Sequence, residues 1–266
     1  MCLLTASVGA PRAINGIRDV RAVQILLNSN RARLAPVRVG DPGLAVTGKI
    51  DAETIAAITA FQMKVVGMPH PDGIVSAKGG TINRLIEGAP RDLTADVLHL
   101  ILIEARRTDI DRYFPPLSSA MAANHIDTPL RVVHFLAQLG HESGAFRYSE
   151  ELATGEAYEG RASLGNTQPG DGVRFKGRGL IQITGRANYR AYSKARGVDY
   201  VATPTLLATD PAVAVDSAIW YWNTRNLNTL ADADNVDGIT RRINGGDNGL
   251  PDRKAKLARA KCLLVR

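Results

Sequence analysis

Three glutamates crowd the stretch FLAQLGHESGAFRYSEEL, residues 135–152: Glu142 on one side of a glycine turn, Glu150 and Glu151 on the other. Phe135, Leu136 and Leu139 recur at helical spacing, and Gly144 stands where a helix ends, so Glu142 occupies the last turn of a helix whose other face is buried. Hydrolysis of a glycosidic bond requires such a set. One protonated carboxyl gives its proton to the leaving oxygen, and one ionised carboxylate activates water or attacks the sugar. Glu142 suits the first role, because the negative end of the helix dipole and apolar neighbours disfavour a charge there. Glu150 and Glu151, in a more polar and flexible stretch, suit the second. By spacing alone a second reading stays open, since a glutamate at a helix end is common and adjacent glutamates often form a solvated edge.

Other chemistries are excluded by position. His141-Glu142 is no zinc helix motif, because Ala145 stands where the second ligand is needed. The glycines of FKGRGLIQITG are not followed by the Gly-Lys-Ser/Thr of a phosphate loop, and no nucleophile elbow is present. In the same stretch Gly177 and Gly179 fit either close approach of backbone to a ligand or a tight turn, and Lys176 and Arg178 read as surface charge favouring an anionic substrate.

Several elements must position these residues. Thr128 and Pro129 open the helix that carries Glu142, and Asp210 and Pro211 open a strongly buried helix containing Trp220 and Trp222. Those two tryptophans and Tyr189 read as core. A basic helix ends the chain, and strand signals are confined to residues 179–184. Upstream, Val20, Val23, Leu26 and Leu27 mark one helix with Asp19 as its cap. Ile55, Ile58 and Phe61 mark a second between Asp51 and Gly67, and Ile82, Leu85 and Ile86 a third. Residues 37–50 read as an extended loop, and TADVLHLILIEARR, residues 94–107, as a helix that either connects the two parts or opens the second. The fold class is thus mainly α.

A chain of 266 residues with 45% hydrophobic content holds one large domain or two unequal ones. The net charge of +7 suits a polyanionic partner, and it is shared between the parts rather than gathered in a basic tail. Aromatic content of 5%, without aromatics interleaved among basic residues, argues against a nucleic-acid reader. No apolar run is long enough to span a membrane, and the opening MCLLTASVGAPRAI carries no basic leader. Cys2 and Cys262 alone cannot build a disulfide framework, and free thiols with an intracellular origin are expected.

Two resemblances sharpen these expectations. The succession DVRAVQILLN, VTGKIDAETIAAITAFQ and DGIVSAKGGTINRLI resembles the peptidoglycan-binding domain appended to bacterial and phage cell-wall hydrolases, which implies tethering to the wall without catalysis. The succession FLAQLGHESGAF, FKGRGLIQITGRANYRAY, DPAVAVDSAIWYW and ITRRINGGDNGLPDR resembles glycoside hydrolase family 19, the chitinase-like lysozymes and endolysins. Together they resemble a modular phage-type endolysin: a small three-helix peptidoglycan-binding domain at residues 1–87, a linker and connecting helix at 88–112, and an α-helical lysozyme-like catalytic domain at 113–266.

Carried onto this sequence, the second resemblance implies Glu142 as general acid and Glu151 as general base, with Glu150 the alternative base. It implies Thr184 as the hydroxyl holding the attacking water, Gln182, Asn188 and Asn244 as sugar-binding amides, and Arg253 as the arginine that orients the acid. Leu180 stands where many chitinases have proline. The residues themselves leave open that Thr184 caps a strand end, Gln182 satisfies a turn and Asn244 ends a helix. The implied reaction is inverting hydrolysis of the β-1,4 bond between N-acetylmuramic acid and N-acetylglucosamine, with carboxyls roughly 6.5–9.5 Å apart or somewhat more. The expected partner is the peptidoglycan glycan strand, with no metal, cofactor, nucleic acid or membrane insertion, and the expected state is a monomer. Synthesis in the bacterial cytoplasm without a signal peptide, followed by release through a phage-encoded pore or by injection, is the expected route to the periplasmic wall. A chitinase and a non-catalytic wall-binding protein remain the alternatives.

Overall fold

A computed structural model describes residues 3–34 and 42–265. Residues 37–41 of the loop expected at 37–50, and Cys2, lie outside the described residues. The fold is mainly α-helical and divides into two compact units, residues 1–104 with 258–266, and residues 105–257.

In the first unit, helices α1 (Ile17–Ser29), α2 (Ala52–Phe61), α3 (Gly80–Glu87) and α4 (Ala95–Ile101) enclose a core that includes Val23, Leu26, Ile58, Phe61, Leu85 and Leu98. Asp51 caps α2 through the Thr54 amide at 2.7 Å, and Gly67 closes its continuation in a left-handed conformation, as expected. A two-residue antiparallel ribbon pairs β1 (Val8–Gly9) with β2 (Ile74–Val75). Asp19 is not a cap. It lies inside α1, and its carboxylate accepts from the Thr5 and Ala6 amides and the Thr5 hydroxyl, tying down the preceding chain. The helix expected over 94–107 stops at Ile101; Thr94 caps it as a helix start, and a new helix begins at Arg107. Cys262 is disulfide-bonded, which corrects the expectation of a free thiol there. Spacing within the sequence carries no signal of such a bond at Cys262.

The second unit is built from α5 (Arg107–Ala123), α6 (Pro129–Glu142), the single turn α7 (Asp171–Arg174), α8 (Arg186–Arg196), the short α9 (Leu206–Thr209), α10 (Pro211–Thr224), α11 (Leu227–Asp232), α12 (Val236–Asn244) and the start of α13 (Leu250–Leu264). Helix α10 packs on α5 and α9, and α11 on α6 and α12. Thr128 and Asp210 cap α6 and α10, each followed by proline at the first turn. Trp222 is fully buried, its ring edge-on to Phe135 at 5.2 Å, and Tyr189 and Trp220 are buried too, so all three are core as expected. Residues 179–184 form no strand. Arg178 instead makes isolated bridges to Glu150 and Ile183.

Candidate active site

Helix α6 holds Glu142. Phe135, Leu136 and Leu139 are buried along it, each burial contributing about 1.5–3 kcal/mol, so the final turn is held against the core. The chain then reverses through Gly144, Ala145 and Phe146, all with φ between 57° and 68°. Left-handed backbone costs an alanine or phenylalanine about 1–2 kcal/mol each. The turn is held by the Ala145 amide on Gly140 O (2.7 Å), the Phe146 amide on Ser143 Oγ (2.9 Å) and burial of the Phe146 ring against Tyr113. This strained reversal separates the first glutamate from the other two.

The expectation of apolar surroundings for the Glu142 carboxyl is corrected. Arg253, from the first turn of α13 and only 1% exposed, donates from Nη2 to Glu142 Oε1 at 2.5 Å. Its other nitrogens bind Gln138 Oε1 and, at 3.4 Å, the Asn248 carbonyl. Gln138 is itself buried and donates to Thr240 Oγ1. Asn244 ends α12, followed by the left-handed Gly245, and its side chain binds the Asn248 carbonyl and the Gly246 amide. That amide therefore shapes the loop on which Arg253 rests. Beside it, His141 meets Asp252 at 2.7 Å, and Gly249 lies so close over the imidazole that an added Cβ would stand 2.1 Å from Nε2. Burial pushes the Asp252 carboxyl up, but its bonds to Lys256 and His141 outweigh that and hold it below its ordinary value. The half-buried Tyr221 hydroxyl, on Ile243 O, is raised mainly by burial; nearby Arg225 opposes this and the Glu142 charge adds to it.

The later glutamates face different partners, as neighbours on an extended segment do. Glu150 binds Arg178 Nε at 2.8 Å and lies 3.6 Å from Lys176 Nζ. Arg178 is buried, held also by Arg174 O and the Tyr189 hydroxyl, so the reading of Arg178 as surface charge is corrected. Lys176 is likewise inward, donating to the carbonyls of Glu151 and Ala153. Burial pushes the Tyr189 hydroxyl up to about 12, against the pull of Arg178.

Glu151 is gripped by both oxygens: Oε1 accepts from the Tyr158 hydroxyl at 2.8 Å, and Oε2 from the Gly177 amide at 3.1 Å. A Cβ added to Gly177 would stand 2.8 Å from Gln182 Oε1 and 3.3 Å from both Glu151 Oε2 and Thr184 Oγ1. Three side chains singled out in the sequence thus converge on one bare α-carbon. Gln182 is held in a left-handed conformation, φ 58°, with its amide nitrogen on Gly179 O, which leaves its carbonyl oxygen facing Gly177. The Thr184 hydroxyl donates to Gln182 O, so its lone pairs remain to accept from a water. Asn188 supports this loop from behind, donating to Thr184 O at 2.7 Å.

Tyr158 and Gly177 are the residues that sequence reasoning did not place in the site. The glycine carried a signal, as a possible close approach. Tyr158 carried none, since it ends a single 3-10 turn, Glu156–Tyr158, too short to show periodicity. It is anchored by tertiary contacts: Asn166 Nδ2 binds its carbonyl, and Asn166 Oδ1 accepts the Arg186 amide. Arg186 in turn pairs through both ends of its guanidinium with the buried Asp171. Burial and the Glu151 bond raise the Tyr158 hydroxyl above its ordinary range. Among the described residues, no three His, Cys, Asp or Glu side chains converge as a metal would require.

Known proteins resemble this chain in sequence and in fold. Residues 126–243 match the family model described as chitinase class I. A glycosyl hydrolase family 19 domain-containing protein of Haemophilus influenzae is 38% identical over 157 residues, 47% of this chain and 76% of that protein. An endochitinase of Arabidopsis thaliana is 40% identical over 116 residues, and there the chain spans only 40% of the relative's length. In fold, chitinase C from Streptomyces griseus superposes with a TM-score of 0.55 at 24% identity, covering 65% of this chain and 76% of that one. A second bacterial family 19 chitinase gives 0.53 at 23%, covering 64% and 94%. The extent and identity of the Haemophilus match place this chain in glycoside hydrolase family 19.

Proposed function

We propose that the chain is a peptidoglycan hydrolase cleaving the β-1,4 bond between N-acetylmuramic acid and N-acetylglucosamine with inversion. The observation that carries the reaction is the convergence of Glu151, Gln182 and Thr184 on Gly177, in the same unit as a Glu142 held by a buried arginine. Protonated Glu142 gives its proton to the leaving glycosidic oxygen, and the carboxylate that results forms beside the Arg253 guanidinium. A water accepted by Thr184 Oγ1 and Glu151 Oε2 loses a proton to Glu151 as its oxygen bonds to the anomeric carbon from the opposite face. One C–O bond forms and one breaks, and one proton moves at each carboxyl. Glu151 serves as base rather than Glu150, whose carboxylate is engaged by Arg178. Gln182 offers a carbonyl to sugar donors, and Asn188 and Asn244 act through the loops they hold.

Peptidoglycan is favoured as substrate by the three short N-terminal helices, read as a wall-tethering module, and by the +7 charge, which suits an anionic wall polymer. A disulfide at Cys262 suits work in an oxidising compartment such as the periplasm, reached by release through a phage-encoded pore or by injection. The enzyme acts as a monomer. The alternative substrate, chitin, is favoured by the names of the relatives, several of which are endochitinases. Turbidity of outer-membrane-permeabilised Gram-negative cells, for wild type against Glu142→Gln, tests the reading. Clearing by wild type alone, with new reducing ends on muramic acid, is expected. Equal clearing by both rejects Glu142 as the acid, and release of sugars from chitin but not from sacculi makes the enzyme a chitinase.

A further inference from the structure

A second cluster of amides lies in the catalytic unit, away from the carboxylates. Asn124 and His125 at the end of α5, Asn223 at the end of α10, and Asn226, Asn228 and Thr229 around the start of α11 line a depression of ≈ 250 Å³ floored by the buried Leu227. It adjoins the amino-terminal end of α6, whereas Glu142 closes the other end, about 20 Å along the axis at 1.5 Å per residue.

The frame of this depression is tied. Asn228 Nδ2 donates to His125 O at 3.2 Å, Trp222 Nε1 to Asn228 Oδ1 at 2.8 Å, and Arg131 Nη1 to His125 O at 3.0 Å. His125 and Asn226 are both left-handed, φ 59° and 51°, a conformation that histidine and asparagine adopt more readily than other non-glycine residues. Within that frame the exposed side-chain amides of Asn223 and Asn226 make no hydrogen bond among the described residues. Each therefore presents one acceptor and a pair of donors to solvent. The lining has no carboxylate, lysine or arginine, so it selects neither cations nor phosphates. Paired donors and acceptors over a small apolar floor match the adjacent hydroxyls and acetamido group of a neutral sugar. The volume is below the about 300–1,000 Å³ usual for drug-sized ligands and suits one ring rather than several.

We infer that this amide pocket is a second glycan-binding site, taking one neutral N-acetylated sugar unit of a polymer at a distance from the bond being cut. Such a site holds the enzyme on an insoluble polymer between cleavages, and its occupancy does not depend on the chemistry at Glu142.

The test is a titration of full-length Glu142→Gln protein with tetra-N-acetylchitotetraose, following the side-chain amide signals of Asn223, Asn226 and Gln182 by NMR. The Asn223 and Asn226 signals are expected to move on a common millimolar isotherm. Adding Asn223→Ala and Asn226→Gly, the latter keeping the left-handed backbone accessible, is expected to weaken binding at this site about tenfold or more, read from the neighbouring Asn124 amide. Signals that stay still at saturating sugar, or an Asn124 response unchanged in the double variant, would overturn the inference. The measurement on the unsubstituted pocket stands even if the double variant misfolds. Movement of Asn223 and Asn226 with a static Gln182 would retain this site while rejecting the proposed cleft.

Discussion

Replacing Gly177 with alanine perturbs the candidate site at its centre. The new methyl would lie 2.8 Å from Gln182 Oε1 and 3.3 Å from Glu151 Oε2 and Thr184 Oγ1. Ordinary carbon–oxygen contacts are longer than the first of these, so Gln182 must withdraw by roughly half an ångström, and the methyl occupies the space that the proposed mechanism gives to the water. The three oxygens are the ends of side chains rather than backbone, and Gly177 does not require a left-handed φ, so the fold absorbs the change at little cost. A misplacement approaching 1 Å at a reacting centre costs about 100-fold in rate. Gly177→Ala is therefore expected to lower kcat about 10- to 100-fold, with a melting temperature within a few degrees of wild type. Release of reducing ends from purified sacculi and differential scanning fluorimetry measure the two quantities. The control is Gly80→Ala in α3, where an added Cβ meets nothing within 4 Å, with no change expected. Gly177→Ala activity within twofold of wild type would refute the claim that Glu151, Gln182 and Thr184 act together at this point.

Three further outcomes test the surrounding structure. Tyr158→Phe removes the donor to Glu151 Oε1 and is expected to lower kcat about tenfold in the same assay, since a hydrogen bond to a charged group is worth about 1.5–3 kcal/mol. Glu151→Gln is expected to abolish hydrolysis while leaving the melting temperature unchanged. Glu150→Gln, which deprives the buried Arg178 of its carboxylate, is expected to cost about 2 kcal/mol in urea unfolding, and the reverse assignment of losses would make Glu150 the base. Asp171 is held below the usual carboxylate range, chiefly by its bond to Arg186, against the effect of burial. A depressed folded pKa adds stability that is complete above the unfolded value near 3.9 and is lost as pH falls through the folded one. Thermal unfolding followed from pH 7 to 2.5 should therefore show a loss below about pH 4 that Asp171→Asn diminishes, while at pH 7 that variant is about 3 kcal/mol less stable because it breaks a buried pair.

What the sequence alone determined is local. Thr128, Pro129 and Gly144 bound the Glu142 helix, Asp210 and Pro211 start α10, and Asp51 and Gly67 delimit α2 with its continuation, because capping and helical periodicity act over a few neighbouring residues. The same local rules failed where a distant partner intervened. Asp19 resembles a cap but serves Thr5 and Ala6, and Arg178 resembles surface charge but is buried against Glu150. The convergence of the candidate site belongs to tertiary structure. Arg253 reaches Glu142 across 111 positions, Gly177 meets Glu151 across 26, and which of two adjacent glutamates faces Thr184 depends on the bridge between Glu150 and Arg178. Helix packing decides such contacts through the burial of many side chains at once, and no short window of sequence contains that information.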